Sequence, residues 1–209
     1  MKGIYLVADR TACLGRPVEE VILAAVKGGV SIVQLREKDV STRFFIEEAQ
    51  RIKELLAPYD VPLIINDRID IALAVDADGV HIGQEDMPYP VARRLLGRSK
   101  IIGLSVETEA QVKEAETFDV DYISVSAVFP TPTKTDVKHV WGLEGLKRVK
   151  TLSRHKVVAI GGINSHNAAE VIQAGADSIA VVSAICSAED PEVAARQLKE
   201  IFETTYQTE

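Results

Sequence analysis

Short runs of aliphatic and β-branched residues alternate along this chain with longer stretches whose apolar positions recur every three or four residues. The short runs are Ile4-Tyr5-Leu6-Val7, Ile32-Val33-Gln34-Leu35, Leu63-Ile64-Ile65, Gly79-Val80-His81-Ile82, Ile101-Ile102-Gly103-Leu104, Tyr122-Ile123-Ser124-Val125, Val157-Val158-Ala159-Ile160 and Ser178-Ile179-Ala180-Val181-Val182. Each has the length and composition of a buried strand. Between them, Val18, Val21, Ile22, Ala25 and Val26 fall on one face of a helix. Phe44, Phe45, Ala49, Ile52 and Leu56 mark a second helix. Val193, Ala194, Leu198, Ile201 and Phe202 mark the last, with Asp190 as N-cap and Pro191 at its first position. Lys27-Gly28-Gly29 and Ala174-Gly175-Ala176 read as helix ends that lead into strands. Eight alternating β and α units predict a (β/α)₈ TIM barrel with a parallel eight-stranded core. The rival, an open doubly wound sheet, wants a glycine-rich turn after the first strand, and Ala8-Asp9-Arg10-Thr11-Ala12 has none.

Composition narrows the function more than the fold. A chain of 209 residues, 46% apolar, with no low-complexity stretch, is expected to form a single catalytic domain over 1–209. The net charge of −7, from 24 basic and 31 acidic residues, argues against nucleic acid and anionic membranes as partners. Two cysteines, Cys13 and Cys186, are too few for a disulfide framework or a four-cysteine zinc site, and a cytoplasmic location is expected. No signal peptide or run of spanning length is evident.

The chemistry gathers where strands end. Gln34, Arg36 and Lys38 alternate along the second strand and would share one face, placing two cations and an amide at the mouth, where active sites of such barrels sit. That set suits a phosphate or diphosphate. Asp67, after Asn66 on the third strand, and Asp86, after the fourth, are hard oxygen donors suited to Mg²⁺ beside substrate phosphate. Each would serve equally well as a helix cap. Thr131, Thr133 and Lys134 offer hydroxyl and ammonium donors on a proline-stiffened loop, or an ordinary solvated turn. Gly161-Gly162 and Val182-Ser183 end the seventh and eighth strands, the usual phosphate site of a barrel. Ser105 faces the same mouth and lacks the pattern of an activated nucleophile. His81 reads as a satisfied core histidine, Cys186 as a buried apolar residue and Trp141 as a packing residue.

Taken in order, Gln34-Leu35-Arg36-Glu37-Lys38, Asn66-Asp67, His81-Ile82-Gly83-Gln84-Glu85-Asp86, Gly103-Leu104-Ser105, Phe129-Pro130-Thr131-Pro132-Thr133-Lys134, Ile160-Gly161-Gly162-Ile163 and Val182-Ser183-Ala184-Ile185 resemble the thiamine-phosphate synthase family over nearly the whole chain. The resemblance implies a transferase that joins 4-amino-2-methyl-5-hydroxymethylpyrimidine diphosphate to 4-methyl-5-(2-hydroxyethyl)thiazole phosphate, releasing diphosphate by a dissociative route. It implies that Gln34, Arg36, Lys38 and Asn66 hold the pyrimidine diphosphate, that Lys134 also reaches the diphosphate, and that Asp67 and Asp86 bind Mg²⁺. Arg36, Lys38 and Lys134 are then the catalytic cations. Thr131, Thr133, Gly162, Val182 and Ser183 would receive the thiazole phosphate, and Ser105 would lie near the pyrimidine. Partners are thus phosphorylated small molecules, with self-association left open. One departure is Ser126-Ala127, where the family pattern carries a glycine. A related thiazole tautomerase has histidine at the position of Ala127 and degraded basic and metal-binding residues, so Ala127 with Arg36, Lys38, Asp67 and Asp86 intact sets that reading behind. A noncatalytic phosphate-binding barrel is the third reading.

Overall fold

The computed structural model describes residues 2–131 and 139–207. Its eight strands are β1 Gly3–Asp9, β2 Ile32–Arg36, β3 Leu63–Asn66, β4 Gly79–Ile82, β5 Ile101–Val106, β6 Tyr122–Ser126, β7 Lys156–Ile160 and β8 Ser178–Val181. All neighbours pair in parallel, and β8 returns to β1, closing the barrel in chain order. Among the described residues the helices are α1 Val18–Lys27, α2 Thr42–Leu56, α3 Ile69–Ala74, α4 Tyr89–Leu96, α5 Glu109–Ala115, α6 Gly142–Leu152, α7 Ala168–Gln173, α8 Ser183–Cys186 and α9 Pro191–Tyr206. The expected (β/α)₈ barrel is therefore what the chain forms.

Strand alternation sorts the core into two regions. Outward residues such as Leu6, Val33, Ile65 and Ile123 meet the helices in one large apolar shell. Inward residues Tyr5, Val7, Ile32, Ile64, Tyr122, Val158 and Ala180 fill the lumen as a separate cluster. The helices hold their faces as the periodicity requires. Val18, Val21, Ile22, Ala25 and Val26 are all buried. Asp190 caps α9 by accepting from the backbone N–H groups of Glu192 and Val193 at 3.0 and 3.1 Å, with Pro191 next.

Two predicted face residues are corrected. Phe44 is exposed at 37%, and its ring lies under the Arg10 guanidinium at 4.8 Å instead of in the shell. Val193 is also exposed. The buried face of α9 runs through Ala195, Leu198, Phe202 and Thr205. Small Ala195 wins over larger Val193 because α9 meets the end of α1 closely there: a Cβ added to Gly28 would stand 2.7 Å from the Ala195 Cβ.

Candidate active site

The inward side chains change character with height. Apolar Ile32, Ile64 and Val158 belong to the lumen cluster, while Gln34, Arg36, Asn66, Asp67, Asp86 and Ser105 line a cleft of about 820 Å³ at the strands' C-terminal ends. Gln34 and Arg36 reach this cleft from β2, as their alternation requires, whereas Lys38, expected on the same strand face, reaches it from just beyond the strand's end. Leu35 points the other way into the shell, fully buried. Glu37 packs behind the site against Arg10, whose Nε donates to it at 3.1 Å.

Neighbouring strands steer each charged group. Asp9 ends β1 opposite Arg36 in the β1–β2 register and forms an ion pair with it. The other Asp9 oxygen accepts from the backbone N–H groups of Thr11 and Ala12 at 2.9 and 3.3 Å, so the carboxylate is held before it holds Arg36. Asp67 adopts a left-handed backbone with φ 60°, a conformation aspartate tolerates better than most residues. Its N–H donates to the His81 carbonyl at 2.8 Å, which aims its side chain at the mouth.

There Asp67 forms an ion pair with Lys38 and lies within hydrogen-bonding reach of Asp86. Asp86 accepts from the Gly83 N–H at 2.7 Å, closing the turn after β4. Neither carboxylate caps a helix: α3 is preceded by Arg68 and α4 by Pro88, both without a side-chain cap bond. Burial, and then the neighbouring Asp67 charge, push the Asp86 carboxyl above its ordinary range, against the opposing Gly83 N–H bond and Lys38. Two converging carboxylates, one of them hindered from ionising by burial and by its neighbour, are a natural seat for a cation. No cluster of three or more histidine, cysteine or acidic residues suited to a metal occurs among the described residues. A cation here would therefore take two carboxylates and complete its shell with water and substrate phosphate, the habit of Mg²⁺.

On the opposite rim, Gly161 and Gly162 have φ of 103° and 66°. A Cβ on Gly161 would run into that of Ala127, and one on Gly162 would stand 2.7 Å from the Pro130 carbonyl oxygen. Glycine is thus required on both steric and conformational grounds, and the backbone stays bare. Val182 lines the cleft, and exposed Ser183 starts α8 beside it. Gly162, Ser183 and Thr131 are not among the residues that line the cleft. Thr133 and Lys134 lie outside the described residues. Ser126 lines the cleft and Ala127 packs against Gly161, so the departure at this pair sits at the rim itself.

Residues assigned to packing stand as follows. His81 is buried with both ring nitrogens engaged: Nδ1 with the Tyr122 hydroxyl at 3.0 Å, Nε2 with Ser105 Oγ at 2.8 Å. It is a satisfied histidine, though on the floor of the cleft. Trp141 belongs to the outer core and also lines the cleft. Cys13 and Cys186 are fully buried. Asp9, Tyr5 and Tyr122 line the cleft and were not singled out from the sequence. The position of Asp9 at the end of the first strand was the available signal.

Together these features define a class: a (β/α)₈ enzyme whose mouth pairs a cationic wall and two carboxylates with a glycine-bared rim, built for phosphorylated substrates. Within that class the chain belongs to the thiamine monophosphate synthase family, whose model matches residues 4–185. It is 53% identical over 200 residues to a thiamine-phosphate synthase of Albidiferax ferrireducens, covering 96% of this chain and 91% of that protein. It is 52% identical over 206 residues to one of Leptospira biflexa, covering 97% and 98%. The solved thiamine phosphate pyrophosphorylase from Pyrococcus furiosus superposes with a TM-score of 0.90 at 41% identity, covering 97% of this chain and 96% of that one. The family expected from the strand-end motifs is the one found.

Proposed function

We propose that this barrel, acting as one catalytic unit over 1–209, joins 4-amino-2-methyl-5-hydroxymethylpyrimidine diphosphate to 4-methyl-5-(2-hydroxyethyl)thiazole phosphate, giving thiamine phosphate and diphosphate. The observation that carries the reading is the convergence of Arg36, Lys38, Asp67 and Asp86 at one side of a single cleft. Relatives named thiamine-phosphate synthase at about half identity, over nearly the full length of both chains, support it.

Bond breaking comes first. The carbon–oxygen bond to the diphosphate cleaves, and the pyrimidine amine donates electrons to the resulting methyl cation. Negative charge collects on the departing diphosphate, where Arg36, Lys38 and Lys134 stabilise it. Asn66 and Gln34 hold the same substrate in register. The thiazole nitrogen then attacks as a neutral nucleophile, its phosphate anchored by Gly162, Val182 and Ser183, with Thr131 and Thr133 as hydroxyl donors. No protein base is needed to form that bond. Asp67 and Asp86 would hold Mg²⁺, which when bound supplies Lewis-acid stabilisation to the diphosphate oxygens. A mechanism that needs no general base fits a cleft that, among the described residues, no cysteine lines and in which His81 has both ring nitrogens engaged.

The test mixes purified protein, both substrates and Mg²⁺ and measures thiamine phosphate. Folded protein that makes no product overturns the reading. Arg36→Ala should cost on the order of 10²–10³ in kcat with little change in thermal stability. Asp67→Asn and Asp86→Asn should each raise the Mg²⁺ concentration needed for half-maximal rate; unaltered Mg²⁺ dependence in both rejects the ligand assignment.

A further inference from the structure

Beneath the charged mouth runs a chain of five polar side chains drawn from five strands. Gln34 Nε2 donates to the Tyr5 hydroxyl at 2.9 Å. Tyr5 and Tyr122 share a hydrogen bond at 2.7 Å between their hydroxyls. Tyr122 meets His81 Nδ1 at 3.0 Å, and His81 Nε2 meets Ser105 Oγ at 2.8 Å. Both phenols are fully inside the barrel, at 1% and 0% exposure. The sequence makes room for this. Gly103 on β5 has no side chain because a Cβ there would occupy the ring of Tyr122. His81 stacks on that ring at 5.6 Å between centroids, and Tyr5 meets it edge-on at 5.9 Å.

Counting protons gives this chain a property that no single link has. It has four links, and each link carries one proton. The three inner groups, Tyr5, Tyr122 and a neutral His81, supply one proton each. The fourth must come from one end. If Gln34 gives an amide proton, its Oε1 remains to accept from a ligand and the Ser105 hydroxyl remains to donate. If Ser105 gives its proton inward, Gln34 turns its amide hydrogens to the ligand and Ser105 accepts. With His81 neutral, the two ends are therefore opposite in sense. The structure has the first polarity, with the Gln34 amide nitrogen turned inward. Burial pushes Tyr122 well above its usual range and, against hydrogen bonds from Tyr122 and Gln34, pushes Tyr5 up to about 12. Both phenols thus keep their protons, as the count requires.

We propose that Tyr5 and Tyr122 are positioning residues that, through His81, lock Gln34 and Ser105 into opposite hydrogen-bonding senses, so that the cleft floor selects a ring bearing one amino donor and one ring-nitrogen acceptor. This rests on the pyrimidine being the ligand above that floor, and it adds a specificity element beneath Gln34 and Ser105. Removing the Tyr122 hydroxyl breaks the two central links. Gln34–Tyr5 and His81–Ser105 then reorient independently, and a ligand with the wrong pattern is no longer refused.

The experiment measures binding by calorimetry of 4-amino-5-hydroxymethyl-2-methylpyrimidine and of the analogue lacking the amine, in wild type and Tyr122→Phe, with thermal melts alongside. Wild type should prefer the amine by roughly 10–100-fold, and Tyr122→Phe should lose about tenfold of that preference while binding the thiazole phosphate as before. An unchanged ratio in folded Tyr122→Phe overturns the proposal. So does parallel weakening of pyrimidine and thiazole ligands with a lower Tm, which is what a purely structural tyrosine would give. Should Tyr122→Phe fail to fold, Tyr5→Phe breaks the two links on the Gln34 side of the chain and is judged by the same ratio. Wild-type turnover without amine preference removes this proposal alone, whereas absence of turnover and of pyrimidine binding removes the functional reading with it.

Discussion

Asp9 divides its two oxygens between structure and chemistry. One closes the turn after β1 through Thr11 and Ala12, and the other pairs with Arg36. Asp9→Asn keeps an acceptor for the turn but presents an amide N–H to a guanidinium that offers only donors. The pair opens onto the cleft, so stability should shift by no more than about 1 kcal/mol. A guanidinium displaced by a fraction of an ångström should nevertheless cost about 10–10² in kcat. Melting and steady-state kinetics check this together; an unaltered kcat would remove Asp9 from the positioning role. Arg36 was readable in the sequence because cations at a strand end are unusual enough to register. Asp9 was not, because an acidic residue after a strand is ordinary until its cross-strand neighbour is known.

At the scale of elements, Glu37 shows what happens to the residue that alternation sends away from the mouth. It leaves the end of β2, meets Glu48 on α2, and both carboxylates take hydrogen bonds from Arg10. Burial, followed by the Glu48 carboxyl, pushes Glu37 up to about 7, and Arg10 only partly offsets this. Between its ordinary 4.5 and about 7, the folded protein holds a proton that the unfolded chain has released. Stability contributed here therefore falls as pH rises through that window and is level above it. Glu37→Gln should melt higher than wild type at pH 8, and the difference should shrink toward pH 5. Equal offsets at both pH values would contradict the raised Glu37 carboxyl. The elements themselves were legible because strands buried on both faces and helices buried on one leave different periods. Fine placement of faces was less so. Phe44 and Val193 are large and apolar, yet the close approach of α9 to Gly28 selects Ala195, and Arg10 draws Phe44 outward. Such choices depend on distances between helices that no single segment encodes.

For the molecule as a whole, closure depends on β1, which pairs with β2 on one side and with β8 on the other. The apolar lumen was written into the chain as inward alternation, but its hydrogen-bonded floor was not. Tyr5 and Tyr122 stand 117 residues apart, and only closure brings their hydroxyls together. No helix among the described residues is long and apolar enough to cross a membrane.

The pairing of Asp9 with Arg36 as direct partners in one register gives the site a second meaning. A strand shifted by one residue would turn Arg36 to the outside and Leu35 to the lumen. Turnover is thus a readout of correct strand alignment, sharper than any helical signal. Helices dominated by local contacts form early, whereas pairing β1 to β8 waits on the most distant part of the chain. On refolding from denaturant, helical circular dichroism should recover ahead of thiamine-phosphate formation, and the return of activity should coincide with protection of β1 amides from exchange. Activity that appears while those amides still exchange freely would show that the cationic wall assembles without the closed barrel. In that sense the enzyme proofreads its own folding: only the correctly aligned chain can announce itself by making product.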